Sequence, residues 1–141
     1  PGHGLAKVDS HFSTPYINKS LQYLLKNDFK AFKNKDSIFA MTGHLIFNQI
    51  DKDNTVTHSR KMINIIRKKV GYKNLLISDD LSMKSLKKGL KINTIDAFKA
   101  GCNLALHCNG KLKEMKIVGK NSPLVSKFIL KKTSQFYNIL R

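Results

Sequence analysis

A chain of 141 residues, 41% of them hydrophobic, is long enough to bury one core, and no apolar run approaches the roughly 18 residues of a membrane span. The formal charge of +17 raises nucleic acid as a partner, yet the cations are 23 Lys against 3 Arg, spread along the chain beside 13 Ile and 12 Asn. That is a solvated Lys-rich surface rather than a cluster of Arg forks, so neither a nucleic-acid nor a membrane partner is predicted.

No signal-peptide pattern opens the chain, and Cys102 and Cys108 are too few for a disulfide framework, so a cytoplasmic location is predicted. Residues 1–17 carry Pro1-Gly2-His3-Gly4, Val8-Asp9-Ser10-His11 and Thr14-Pro15, a loop by composition. His11 is a candidate general acid or base, with Asp9 placed to hold one ring nitrogen and favour the protonated form. The same residues equally fit an Asp capping a turn beside a surface His and, more weakly, a metal set of His3, Asp9 and His11.

Leu21 to Phe32 repeats apolar residues at spacings of three and four, predicting helix. Ser37 to His44 is a buried run that ends in a polar residue; His44 is either a residue near a site or a satisfied structural histidine. After a polar loop over 48–54, Ser59 caps a predicted helix through Met62, Ile63, Ile66 and Val70, with Arg67, Lys68 and Lys69 in its last turn and Gly71 as its stop. The chain then enters Leu75-Leu76-Ile77-Ser78-Asp79-Asp80, which reads as a strand buried on both faces. Charges cannot continue inside such a core, so Asp79 and Asp80 should emerge at the C-terminal edge, where α/β folds place ligands and catalysis. A strand that simply exits into solvent is the plainer alternative.

Beyond Met83 a short helix to Leu90 is predicted, then a second helix capped by Thr94 and stopped at Gly101. Asn103 to Asn109 is a third apolar run with a polar end; Cys102, His107 and Cys108 lack the second pair that a tetrahedral metal site needs, so no metal is predicted. Ser122 and Pro123 open a predicted amphipathic helix over 122–141 that packs on the sheet. The whole is α/β: three βα units, no internal repeat, and open sheet edges that three strands cannot close into a barrel. An N-terminally truncated piece is predicted, the remainder coming from missing sequence or from a partner.

Taken in order, Pro1-Gly2-His3-Gly4, Asp9-Ser10-His11, Met41-Thr42-Gly43-His44, Gly71-Tyr72, Ser78-Asp79-Asp80-Leu81-Ser82-Met83 and Ala100-Gly101-Cys102-Asn103 closely resemble the family 3 glycoside hydrolases. Within that family the chain looks like the bacterial cytoplasmic β-N-acetylhexosaminidases of peptidoglycan recycling, over about residues 1–109. The resemblance implies the C-terminal part of a TIM (β/α)8 barrel, its three strands being the sixth, seventh and eighth. It implies Asp79 as nucleophile, His11 oriented by Asp9 as general acid and base, His3 and Met83 as sugar contacts, and no cofactor. Asp80 is expected to be structural.

The implied substrate is a muropeptide with terminal non-reducing β-linked N-acetylglucosamine, hydrolysed with retention; phosphorolysis, with phosphate in place of water, is the alternative. The family's Lys-His-Phe before Pro1 is absent, as are its first four strands and most of the fifth. The isolated chain is therefore expected to need the missing N-terminal half of the barrel as its partner. The alternative is a catalytically inactive half-barrel that serves as a binding or assembly module. The Ser78 to Met83 stretch disfavours a β-glucosidase, whose branch usually has Trp after the nucleophile.

Overall fold

The computed structural model describes residues 2–140; Pro1, at the head of the first loop motif, and Arg141, at the end of the predicted last helix, lie outside them. The elements run β1 (Tyr16–Ile17), α1 (Leu21–Lys26), β2 (Phe39–Met41), β3 (Ile46–Phe47), α2 (Arg60–Ile65), β4 (Leu75–Asp80), α3 (Leu90–Ala100), β5 (Leu104–Leu106), α4 (Leu112–Asn121) and α5 (Lys127–Ile139), with 3-10 turns at Asp28–Phe32 and Val56–His58.

β4 is the centre of a parallel sheet ordered β2-β4-β5, with Phe39 opposite Leu75 and Ile77 opposite Leu104. Leu75 and Leu76 are essentially inaccessible, as the unbroken apolar run demands of a strand covered on both faces. Each parallel step needs a crossover, and α2 and α3 supply them. The helix at 60–65 starts where Ser59 Oγ accepts the Met62 amide at 3.1 Å. It continues as a wider π turn over Ile66–Val70 and stops at Gly71, whose φ of 85° suits a residue without Cβ.

Arg67 then pins the turn to the sheet: Nη1 donates to Tyr72 O at 3.1 Å and Asn74 O at 2.6 Å, and Nη2 donates to Asn103 Oδ1 at 2.7 Å. Asn103 Oδ1 also accepts the Leu76 amide at 2.9 Å, so one guanidinium ties the α2 exit to the starts of β4 and β5. The core gathers Leu24, Phe29, Phe47, Val56, Met62, Ile63, Leu76, Leu81 and Ala97. Phe29 and Phe47 meet edge to face, with centroids 5.3 Å apart, a contact worth about 1 kcal/mol beyond burial.

Several elements differ from the sequence expectation. β1 and β3 form a two-residue parallel ladder, Tyr16 opposite Ile46; β1 lies in the predicted loop over 1–17, and β3 lies between the run that ends at His44 and the polar loop over 48–54. Two residues are too few for alternation to reveal a strand. Residues 82–89 are turns rather than helix, closed by Met83 N to Asp80 O and Leu86 N to Met83 O. α3 begins at Leu90, so Thr94 is interior: it is buried and its hydroxyl donates back to Leu90 O at 2.7 Å.

The predicted C-terminal helix is two helices. Ser122 Oγ donates to Val118 O at 2.8 Å, closing α4, and Ser126 caps α5 by accepting the Ile129 amide at 3.3 Å. Pro123 therefore starts a linker. No residue of α4 or α5 is buried, and α5 reaches the sheet through Phe136 against Phe39, centroids 5.3 Å apart.

Candidate active site

The C-terminal end of β4 is irregular, and this aims its two carboxylates. Between the Ile77–Leu104 and Asp80–Leu106 pairs, β4 carries one residue more than β5. This is a bulge, which bends a strand and redirects its side chains. Ser78 repairs the ladder there, its Oγ accepting the Leu106 amide at 2.9 Å. Asp79 lines a cavity of about 230 Å³ with Gly2, His3, Phe32, Met41, Thr42 and Gly43. Asp80 instead accepts Ser82 N at 3.0 Å and Cys108 N at 3.3 Å. Burial opposes ionisation of Asp80, but the bonds from the Ser82 amide and hydroxyl and from Cys108, with the nearby His107 ring, hold its carboxyl below the usual range.

The two aspartates are also linked through the backbone. Asp80 N donates to Asp79 Oδ1 at 2.8 Å, and Asp79 N donates to Thr42 O at 3.1 Å. His44 supports this turn from beneath. Its ring is inaccessible, Nε2 donates to Asp80 O at 2.9 Å, and Nδ1 lies 2.8 Å from Thr57 Oγ1. Burial holds the His44 ring below its ordinary range, so the neutral form, with N–H on Nε2, accepts the Thr57 hydroxyl at Nδ1. Thr42 Oγ1, 2.9 Å from Thr57 Oγ1, extends the chain. His44 is thus a satisfied structural residue close to the site. Thr57, its partner from the turn after β3, carries no sequence signal because only the fold brings residues 44 and 57 together.

Asp9 and His11 sit on the exposed loop over 2–15. Asp9 Oδ1 accepts both the His11 amide at 2.9 Å and ring Nδ1 at 2.7 Å. Those bonds from His11 hold the Asp9 carboxyl below its usual range. The reciprocal bond and charge of Asp9 raise His11, with the fields of Asp79 and Asp80 adding in the same direction. With Nδ1 engaged, Nε2 is left as the nitrogen for proton exchange.

His3 is exposed and lines the Asp79 cavity. Gly43 permits this closeness: a Cβ there would lie 2.6 Å from His3 Cε1 and 2.7 Å from Leu45 Cδ2. Met83 is 7% exposed and does not line that cavity; its amide closes the turn to Asp80. Among the described residues no three His, Cys, Asp or Glu side chains gather as a metal site, and no helix is long and apolar enough to cross a membrane.

Residues 1–133 match the family model described as the glycosyl hydrolase family 3 N terminal domain. A "Beta-hexosaminidase" of Haemophilus influenzae is 34% identical over 119 residues, covering 77% of this chain and 33% of its own length. One from Psychromonas ingrahamii is 33% identical over 117 residues, covering 79% and 35%. The chain therefore spans about a third of the length of these relatives. Among solved structures, native NagZ from Neisseria gonorrhoeae superposes with a TM-score of 0.77 at 26% identity, over 94% of this chain and 39% of that one. A further structure of that protein is a complex with N-trifluoroacetyl-D-glucosamine.

Proposed function

The chain belongs to glycosyl hydrolase family 3, and on that premise we propose that it is the C-terminal part of a (β/α)8 barrel that removes terminal non-reducing β-linked N-acetylglucosamine from muropeptides. In this reading β2, β4 and β5 are the sixth, seventh and eighth strands, and their C-terminal rim is the site. The carrying observation is the Asp9–His11 pair, hydrogen bonded at 2.7 Å on the loop that also brings His3 to the Asp79 cavity. The beta-hexosaminidase relatives and the sugar held by the gonococcal protein support the substrate class.

Asp79 attacks the anomeric carbon, forming a C–O bond as the glycosidic C–O bond breaks, while His11 gives its Nε2 proton to the departing oxygen. The neutral imidazole then takes a proton from water, whose oxygen displaces Asp79 and restores the configuration. A raised His11 suits the first step, because the imidazolium must be present to donate. Asp80 shapes the turn, and the site calls for no cofactor. This chemistry belongs to cell wall recycling in the cytoplasm.

A second reading, a half-barrel without activity that serves in binding or assembly, is favoured by one feature. β2 is one edge of the three-stranded sheet, and beside it Phe32, Phe39, Ala40, Met41, Ile66, Val70, Tyr72 and Leu76 line an apolar groove of about 340 Å³. Both readings are tested by assaying hydrolysis of an aryl β-N-acetylglucosaminide by this chain alone and mixed with a separately made N-terminal half-barrel. Turnover in the mixture that is lost in Asp79→Ala supports the enzyme. No turnover in either sample, with the chain folded, supports the assembly module.

A further inference from the structure

We propose that His107 is a positioning residue for the reaction, steadying Asp80 and, through it, the carboxylate of Asp79; this rests on the assignment of Asp79 as nucleophile. His107 follows β5, its side chain is 5% exposed, and among the described residues neither ring nitrogen has a hydrogen-bond partner. A buried polar group left unmade is costly, so packing alone would favour an apolar side chain here. What faces the ring is two carboxylates: Nδ1 lies 3.7 Å from Asp80 Oδ1, and Nε2 lies 3.3 Å from Glu114 Oε2. Glu114 is the chain's single Glu, sits in the first turn of α4, and is itself held by Asn109 Nδ2 and, at 3.5 Å, by Lys111 Nζ.

The ring therefore stands between a fixed anchor and a joint. Asp80 is the joint because its amide holds Asp79 Oδ1 at 2.8 Å and its carbonyl is held by His44 at 2.9 Å. Asp80 Oδ1 takes the Ser82 amide at 3.0 Å, Ser82 Oγ at 2.9 Å and the Cys108 amide at 3.3 Å, and Oδ2 takes Ser82 Oγ at 2.8 Å; the His107 ring faces the same carboxylate from the end of β5. A gap of 3.7 Å is a few tenths of an ångström too long for a hydrogen bond, a separation that a small shift of either side chain closes. Closing it adds a side-chain contact from the end of β5 to those local bonds and so tightens the turn whose amide aims the attacking oxygen.

The test is made in the complete barrel, with kcat and KM measured on an aryl β-N-acetylglucosaminide. Asn places an amide nitrogen near the position of Nδ1, whereas Gln places one near Nε2. His107→Ala and His107→Gln should lower kcat about tenfold or more with KM moved less than about threefold, and His107→Asn should recover kcat to within about threefold of the parent. If the ring only filled space, the smaller Asn would be the worse of the two amides. That order, or equal losses, overturns the proposal. Should His107→Gln fail to fold, the near-isosteric Asp80→Asn replaces it: a double variant with His107→Ala should lose no more than the worse single change, and additive losses overturn the proposal. Full turnover by Asp79→Ala would instead remove the nucleophile assignment beneath it.

Discussion

One carboxylate oxygen of Asp9 receives two bonds from a single residue, the His11 amide at 2.9 Å and its ring Nδ1 at 2.7 Å. The first shapes the loop and the second orients the ring, so two residues apart in sequence behave as one group. The charge of Asp9 favours the imidazolium, which then persists to higher pH than in a free histidine. In the complete barrel, Asp9→Asn keeps an acceptor but removes the charge. The alkaline limb of the kcat/KM profile should move to lower pH in that variant; a limb that stays in place would detach Asp9 from the acid.

The acid role proposed for His11 has its own signature. A good aryl leaving group departs without a proton, whereas a sugar alcohol does not. His11→Ala should slow a disaccharide substrate by about 10² to 10⁴ and an activated aryl glycoside much less. Equal losses on the two substrates would sink the role, leaving His11 as a residue of the loop.

Arg67 makes a stability prediction that composition obscures, since it looks like one more cation in a Lys-rich helix end. Its planar fork reaches the carbonyls of Tyr72 and Asn74 and the side chain of Asn103 together, and a Lys ammonium cannot span all three. Arg67→Lys should cost about 2 kcal/mol by urea unfolding, because part of a half-buried set of acceptors loses its donors. A loss below about 0.5 kcal/mol would mean that water replaces the fork without penalty.

These residues also show where sequence alone is informative. β4 could be read because a strand covered on both faces leaves an apolar run ending in charge, and α2 because Ser59 and Gly71 mark its ends with side-chain chemistry. The Asp9–His11 pair could be read because it is local. By contrast, β1 and β3 are paired over two residues by tertiary packing, and Thr94 looks like a cap until burial makes it an interior residue of α3. Thr57 and Asp80, which hold His44, Asn103, which takes the Arg67 fork, and Asp80, which faces His107, lie 13 to 36 residues away in sequence, and only the fold brings them near. The open groove beside β2 is likewise a property of the sheet order, which no single run of residues encodes.

His58 supplies the last prediction, an acid sensitivity of the folded state. It is largely buried beside α3 and its Nε2 donates to Asn93 O at 3.0 Å. Burial lowers its pKa to about 4, only partly offset by the Asn93 carbonyl and the Asp96 carboxylate. In the unfolded chain the same ring takes a proton near pH 6.5. The unfolded state thus binds more protons between those values, and stability falls as pH drops through that window. The contribution is complete above about pH 6.5, and about 2 kcal/mol of it is lost by pH 5, where most carboxylates have yet to titrate. His44, lowered by burial, acts in the same direction. His58→Gln keeps a donor for the Asn93 carbonyl and cannot titrate, so its unfolding free energy should change less between pH 7 and pH 5 than that of the parent. Parallel pH dependences in the two proteins would show that the His58 ring takes up its proton in the folded state without resistance.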